Sequence, residues 1–389
     1  MGSDPFVFSF FLIFATAAIL ATLALFTHQP LIVVYMLTGM ILGPSGLAFI
    51  DNPQLISSIS KFGIIFLLFL LGLDMQPAKL LNTIKSATLV GIGSSIIFFL
   101  AGSAVAQLFG YGLVETLIIG IAMMFSSTII GIKLLPTTVL HHRHTGELII
   151  SLLLIQDLIA IIVLLVLTGG FLEFSGVSKV TRVMVSLPLL IGFSWLFVKF
   201  ILLKLLEKFD AFHEYIFLIA IGWCLSLAEI SEAVGLSLEI GAFIAGVTIA
   251  TSPIALYIAD HLKPLRDFFL VLFFFSLGAG FHLELLGDVA LAAVVMATVI
   301  LVLKPVIFRF FLRGMSETNA FGWETGFRLG QISEFSLLIA FIATAERLIS
   351  QEASHLIQAT AILTFLISTY VVVFRYPTPI AVSARLRRD

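Results

Sequence analysis

Cysteine, charge and linker-like sequence are all scarce in this 389-residue chain. Its one cysteine, Cys224, leaves no disulfide framework and no thiolate-based metal site within the chain. Only 11% of residues are charged while 60% are hydrophobic, a balance that no soluble domain of this size keeps in water. The formal net charge is −2 and no basic patch or stripe stands out, which argues against nucleic acid as a partner. The N-terminus lacks the basic segment and small-residue cleavage site of a signal peptide, so its first apolar run reads as a retained helix. No Ser/Gly linker, Pro-rich stretch or polar block interrupts the chain, which stops about fourteen residues after its last apolar run. The expectation is one membrane domain over 1–389 with no soluble domain.

What is present is a succession of apolar runs, 38 Phe among them, broken by Gly, Pro and charge clusters. A bilayer core of roughly 30 Å needs about 20 apolar residues per helix. The runs predict an all-α polytopic membrane protein of about thirteen helices. They fall near 5–26, 29–46, 60–75, 86–108, 112–134, 146–168, 182–206, 213–229, 235–252, 267–283, 287–314, 321–345 and 354–375. Basic residues alternate with this count. Lys79, Lys85, Lys133, Arg143, Lys204, Lys208, Lys263, Arg266, Arg309, Arg313, Arg375, Arg385, Arg387 and Arg388 crowd one side, against Lys179, Arg182 and Arg347 on the other. The crowded side is then the cytoplasm, with the N-terminus outside and the C-terminus inside. Lys61, Lys199, Lys304 and Arg328 lie within runs. The fifth run carries the polar break Ser126-Ser127-Thr128 and the twelfth carries Arg328-Leu329-Gly330-Gln331-Ile332-Ser333-Glu334. Seven places separate them, the spacing of two inverted halves with one discontinuous helix each.

The sixth run, from Ile149 to Ile161, sets Gln156 and Asp157 side by side near the midplane among Ile and Leu. An Asp at a helix centre costs roughly 2.5–3.5 kcal/mol to insert, so it faces a cavity or a partner helix and reads by default as functional. Burial raises a carboxyl pKa and a neighbouring cation lowers it, so one Asp can release a proton as a metal ion arrives and regain it as the ion leaves. The bland alternative is an Asp that only hydrogen-bonds another helix. Lys304 is the other deep charge. It could pair with Asp157, meet the ends of the broken helices, or snorkel toward the cytosolic face, and Pro305 beside it favours a kink. Ser126, Ser127 and Thr128 offer hydroxyls and unwound carbonyls to a dehydrated cation, or serve as interhelical glue worth about 1 kcal/mol each. Gln331, Ser333 and Glu334 are similarly polar. Arg328 stands six positions before Glu334, on a different face of one helix, and both read as structural supports rather than ion ligands. Asp74 and Glu239 read as interfacial carboxylates. His141, His142, Arg143 and His144 read as a solvated loop or a cytosolic pH sensor.

Gly43-Pro44-Ser45-Gly46-Leu47, Leu71-Gly72-Leu73-Asp74, Ser126-Ser127-Thr128, Gln156-Asp157, Gly241-Ala242-Phe243-Ile244-Ala245-Gly246 and Ser333-Glu334-Phe335 occur in this order. Together they resemble the monovalent cation:proton antiporter family 2. The Gln-Asp pair is most similar to its Kef-type potassium efflux branch, and the resemblance covers nearly the whole chain. It implies a homodimer in which 5–85 and 213–283 form the dimerisation part, 182–206 a linker helix, and 86–168 with 287–375 a moving core of crossed discontinuous helices. It implies Asp157 as carrier of the monovalent cation and the proton, with Gln156 standing where the sodium branch has a first acid and Lys304 retained without that partner. Kef-type proteins usually add a cytosolic nucleotide-binding domain, which this chain is expected to lack. Potassium or sodium and protons are the expected substrates, with no covalently bound cofactor, and a bacterial inner membrane is the expected location. A sodium/proton exchanger of the same fold is the nearest alternative. A channel lacks a Thr-Val-Gly-Tyr-Gly filter here, and an intramembrane aspartyl protease would need a second acid beside Asp157.

Overall fold

A computed structural model describes residues 5–50, 52–74, 77–135, 144–168, 177–209, 212–250, 252 and 255–378. In lipid every backbone N–H and C=O must be paired within the chain, so apolar runs of this length wind into helices. The first five are α1 (Pro5–Phe26), α2 (Leu31–Leu42), α3 (Pro53–Asp74), α4 (Pro77–Leu108) and α5 (Leu113–Met123). Next come α6 (Thr128–Lys133), α7 (His144–Thr168) and α8 (Val177–Phe197), the last running through a π-wound turn, Val198–Leu202, into α9 (Leu203–Lys208). The remainder are α10 (His213–Ala233), α11 (Leu238–Ala250), α12 (Ala255–Ala279), α13 (Leu286–Gly314), α14 (Asn319–Arg328), α15 (Glu334–Ala345) and α16 (Gln351–Arg375).

Nine helices among the described residues are long and apolar enough to cross a membrane, and α2, α11 and α15 are shorter apolar helices. With α5–α6, α14–α15 and the α8–α9 stretch each taken as one traverse, the described helices occupy the thirteen places expected from the sequence. The chain is thus an all-helical integral membrane protein with two discontinuous helices. Three elements start at least seven residues earlier than hydropathy indicates: α3 at Pro53, α4 at Pro77 and α12 at Ala255. The added stretches carry Ser57 and Ser58 in α3, Lys79 and Lys85 in α4, and His261, Lys263 and Arg266 in α12. Polar residues of this kind suit a helix that extends beyond the hydrocarbon, where hydropathy has no signal to give. Residues 141–143 of the histidine cluster lie outside the described residues, as does the side chain of Asp74.

Packing divides the chain into two compact units. The first comprises Met1–Ile50, Asn82–Val163 and Gly278–Asp389 and contains both discontinuous helices. Its apolar core joins Val90 and Phe98 of α4, Ile149, Leu152 and Leu153 of α7, and Phe308 and Leu312 of α13. Phe98 and Phe308 meet edge-to-face with ring centroids 5.5 Å apart, a favoured geometry for aromatic quadrupoles. Close to the break in α14–α15, Gly326 lets α14 lie directly on the backbone of Pro305 in α13, where a Cβ would have no room.

The second unit comprises Asp51–Leu81 and Leu164–Leu277. Here α3 and α11 touch backbone to backbone: a Cβ on Gly246 would strike Phe69 O and Leu73 N, and one on Gly72 would strike Phe243 O. Small residues at helix contacts of this kind replace the hydrophobic drive that lipid cannot supply. Stacked rings, Phe66 on Phe269 at 4.4 Å and Phe197 on Trp223 at 4.7 Å, and a Ser194–Thr248 hydroxyl pair at 2.9 Å complete the unit. Gly246→Val is expected to cost about 1–3 kcal/mol, the range for overpacking a tight contact, read as a lowered thermal midpoint of the detergent-purified protein. Gly192→Val, where a Cβ meets nothing within 4 Å, serves as the control, and equal midpoints for the two variants would contradict the close α3–α11 contact.

Candidate functional site

The interruptions leave unpaired backbone groups in the middle of two helices, and the site is built from the side chains that pair them. A helix end exposes up to four orphan N–H or C=O groups, and hydrocarbon offers no water to satisfy them. The two N-terminal ends are closed by serines. Ser127 caps α6 by accepting from Ile130 N–H at 3.1 Å, and Ser333 caps α15 by accepting from Phe335 N–H at 3.1 Å. The two C-terminal ends are closed by Lys304. Its Nζ donates to Phe125 O just past α5 at 2.6 Å, to Gln331 O just past α14 at 2.9 Å, and to Ser126 Oγ at 3.1 Å.

Lys304 is fully buried. Of the three placements open in the sequence, the fold takes the helix-end one: the lysine does not snorkel, and its three donors are spent on the two breaks rather than on Asp157. An ammonium is favourable there because helix C-termini carry partial negative charge. The ring of Phe98 lies 5.3 Å from Nζ, close enough for a cation–π contribution.

Gln156, also fully buried, stitches the first break from the side. Its Oε1 accepts from Ser126 N–H at 2.9 Å and its Nε2 donates to Met124 O at 3.5 Å. Ser126 Oγ donates to Leu329 O at 2.9 Å and so ties the first break to the second. Asp157 is 3% exposed, and Thr128 Oγ1 lies 2.9 Å from Oδ2 and 3.1 Å from Oδ1 of its carboxylate. One residue along, Ile129 N–H donates to Oε1 of Glu334 at 3.3 Å. The crossing therefore gathers Ser126, Ser127, Thr128, Gln156, Asp157, Lys304, Gln331, Ser333 and Glu334.

Arg328 stands outside this group. It is 1% exposed, and its guanidinium donates to Glu324 Oε1 at 2.8 and 3.0 Å, to Leu134 O at the end of α6 at 2.7 Å, and to Pro377 O at 2.7 Å. The expectation that Arg328 and Glu334 sit on different faces of one helix is corrected. The helix is interrupted between them, so a six-residue spacing carries no facial meaning. Glu334 reaches Ile129, the residue of α6 next to Asp157's partner Thr128, from a distant part of the sequence.

Three residues not singled out in the sequence also hold the second break. Ser336 Oγ donates to Ala122 O at 2.5 Å, Thr364 Oγ1 accepts from Ile332 N–H at 3.3 Å, and Ser368 Oγ donates to Gln331 Oε1 at 2.7 Å. Thr364 and Ser368 are four apart on α16, and a helical polar stripe in an apolar span is the signal that could have found them. Beyond the spans, Glu115 Oε1 accepts from Ser350 N–H at 2.9 Å, and Tyr111 donates to Glu352 Oε1 at 3.5 Å. Burial, reinforced by that carboxylate, pushes the Tyr111 hydroxyl well above its ordinary pKa. Glu239 lies in the first turn of α11, in the second unit.

Two crossed broken helices pinned by a buried lysine, with carboxylates at their N-terminal ends, define the class: an antiporter-type membrane transport fold. The chain belongs to the family described as sodium/hydrogen exchanger, transmembrane, which matches residues 11–374. This is a family of transporters, not enzymes. K(+) efflux antiporter 4 of Arabidopsis thaliana is 32% identical over 92% of this chain and 62% of its own length, so the chain spans less than two thirds of that relative. The iron transporter MagA of Paramagnetospirillum magneticum is 27% identical over 88% of this chain and 79% of its own. Among solved structures, the sodium proton antiporter MjNhaP1 of Methanocaldococcus jannaschii at pH 8 superposes with a TM-score of 0.68 at 17% identity, covering 98% of this chain and 97% of that one.

Removing the pin should be costly. Lys304→Met leaves two buried carbonyls without a donor, at about 1–3 kcal/mol each, and is expected to lower the thermal midpoint sharply. Lys199→Met is expected to change stability by no more than about 0.5 kcal/mol, because Lys199 is exposed and lies over Trp195. Similar midpoints for both variants would mean that Lys304 is not what holds the breaks.

Proposed function

We propose that this chain is the membrane part of a secondary antiporter that exchanges a monovalent cation, potassium in preference to sodium, for protons by alternating access. The observation that carries the proposal is Asp157: a buried carboxylate in an apolar helix, hydrogen-bonded by Thr128 at the first helix break. Family membership supports exchange of a cation for protons. The Gln156-Asp157 pair and the relatives named K(+) efflux antiporters support potassium.

In this reading Asp157 holds either the cation or a proton, with Ser126, Ser127, Thr128 and Gln156 supplying oxygen ligands and second contacts. Lys304, Gln331, Ser333, Glu334 and Arg328 keep the breaks in shape. Loaded Asp157 crosses with the core formed by 86–168 and 287–375, while 5–85 and 213–283 hold a homodimer together and 182–206 links the parts. The empty, charged form does not cross, because a bare carboxylate in a dry site is penalised by several kcal/mol. Competition between two ligands for one carboxylate is then sufficient to couple their movements. The basic-residue bias supports a cytoplasmic C-terminus, where a nucleotide-binding regulatory domain would be reached, and the proposed location is a bacterial inner membrane.

Proton flux into proteoliposomes, driven by a potassium gradient and then by an equal sodium gradient, tests the proposal. Potassium-driven flux that falls to background in a folded Asp157→Asn protein is the expected result. Flux with sodium only would keep the mechanism and change the cargo. Undiminished exchange by Asp157→Asn would remove Asp157 from the mechanism.

A further inference from the structure

The crossing holds a carboxylate oxygen that no protein group satisfies. Glu334 opens α15, and its Oε1 accepts from Ile129 N–H at 3.3 Å. Its Oε2 is closed to solvent and makes no hydrogen bond of ordinary geometry, although the Ser127 hydroxyl and the Thr128 N–H lie near the carboxylate. A carboxylate oxygen removed from water and left unmatched is among the costliest arrangements in a protein interior, so such an oxygen calls for a ligand.

The cationic side chains of the crossing cannot be that ligand. Lys304 has three donors and spends them on Phe125 O, Ser126 Oγ and Gln331 O. Arg328 is committed to Glu324, Leu134 O and Pro377 O. Glu334 is also anchored beside the group already assigned to the cation. Thr128 holds Asp157, and the next residue, Ile129, holds Glu334. Consecutive Cα atoms are about 3.8 Å apart, so the two carboxylates converge on one turn of α6 although they come from α7 and α15.

We propose that Glu334 is a second carboxylate ligand of the transported cation, with Oε2 facing the ion that Asp157 also binds. This rests on the antiporter reading above and deepens it by naming a ligand from the second discontinuous helix. A cation bridging the two acids joins α7 to α15 beside the break at α6, so loading would tighten the crossing itself.

Glu334→Gln tests the proposal selectively. The amide keeps a carbonyl oxygen for Ile129 N–H, so a purely structural role survives, while the anionic ligand is lost. In proteoliposomes the variant is expected to need at least a tenfold higher potassium concentration for half-maximal proton flux. In detergent, potassium is expected to raise the thermal midpoint of the wild type, and this rise is expected to shrink or vanish in Glu334→Gln.

Wild-type half-saturation together with a wild-type potassium-induced rise in the variant would overturn the proposal. If Glu334→Gln does not fold, Glu334→Asp keeps the charge but withdraws the oxygen by one methylene. Raised half-saturation in that variant supports the proposal and an unchanged value overturns it. The two readings fail differently. A wild type that neither exchanges nor is stabilised by a monovalent cation ends both, whereas loss of potassium response in Asp157→Asn but not in Glu334→Gln ends only this one.

Discussion

One ammonium group holds the centre of this protein open. Breaking two helices in the middle of a membrane strands backbone carbonyls where no water can reach them, and Lys304 answers both sets at once, bonding Phe125 O and Gln331 O from a third helix. The same contact fixes how α5–α6 and α14–α15 cross, because a single atom must lie within hydrogen-bond reach of both. Without a donor here both carbonyls would be left unmatched where no water can reach them.

From that pin the rest of the electrostatics follows. The lysine lies at the C-terminal ends of α5 and α14, where partial negative charge accumulates, and Glu334 lies at the N-terminal ends of α6 and α15, where partial positive charge does. The short α6 is closed at its other end by Arg328 on Leu134 O, and Arg328 is neutralised in turn by Glu324 at 2.8 Å. Each half-helix is therefore terminated by a side chain of the sign its dipole favours. Gln156 contributes without charge: an amide can accept from Ser126 N–H and donate to Met124 O together, which an ionised carboxylate, an acceptor only, cannot do.

Much of this architecture is legible in the sequence because hydropathy is a property of runs. Thirteen helical places, the two interruptions and the isolation of Asp157 in an apolar run all follow from residues read in order. The partners do not. Lys304 could equally reach Asp157, the breaks or the interface, since the choice depends on which distant backbone atoms come within about 3 Å of its tip. Glu334 and Asp157 are 177 positions apart, and nothing local marks them as meeting on the same turn of α6. The inference from the Arg328–Glu334 spacing failed because helical periodicity presupposes an unbroken helix. Extra turns at the start of α3, α4 and α12 escaped because polar residues at a membrane interface resemble loop residues in composition.

The charge at the crossing also bears on the cargo. Two carboxylates, Asp157 and Glu334, stand against one ammonium, Lys304, while Arg328 and Glu324 cancel each other. The formal sum is one negative charge, which one monovalent cation balances. A divalent cation would leave an excess positive charge in a site of low dielectric, where uncompensated charge is heavily penalised. Gln156 is decisive in this sum. An acid at that position would add a second unbalanced negative charge or draw Lys304 into an ion pair and away from the helix ends. With a neutral amide there, the lysine is free to hold the backbone, and with both carboxylates and the ammonium ionised the proposed site has a formal charge of −1, which one monovalent cation would balance.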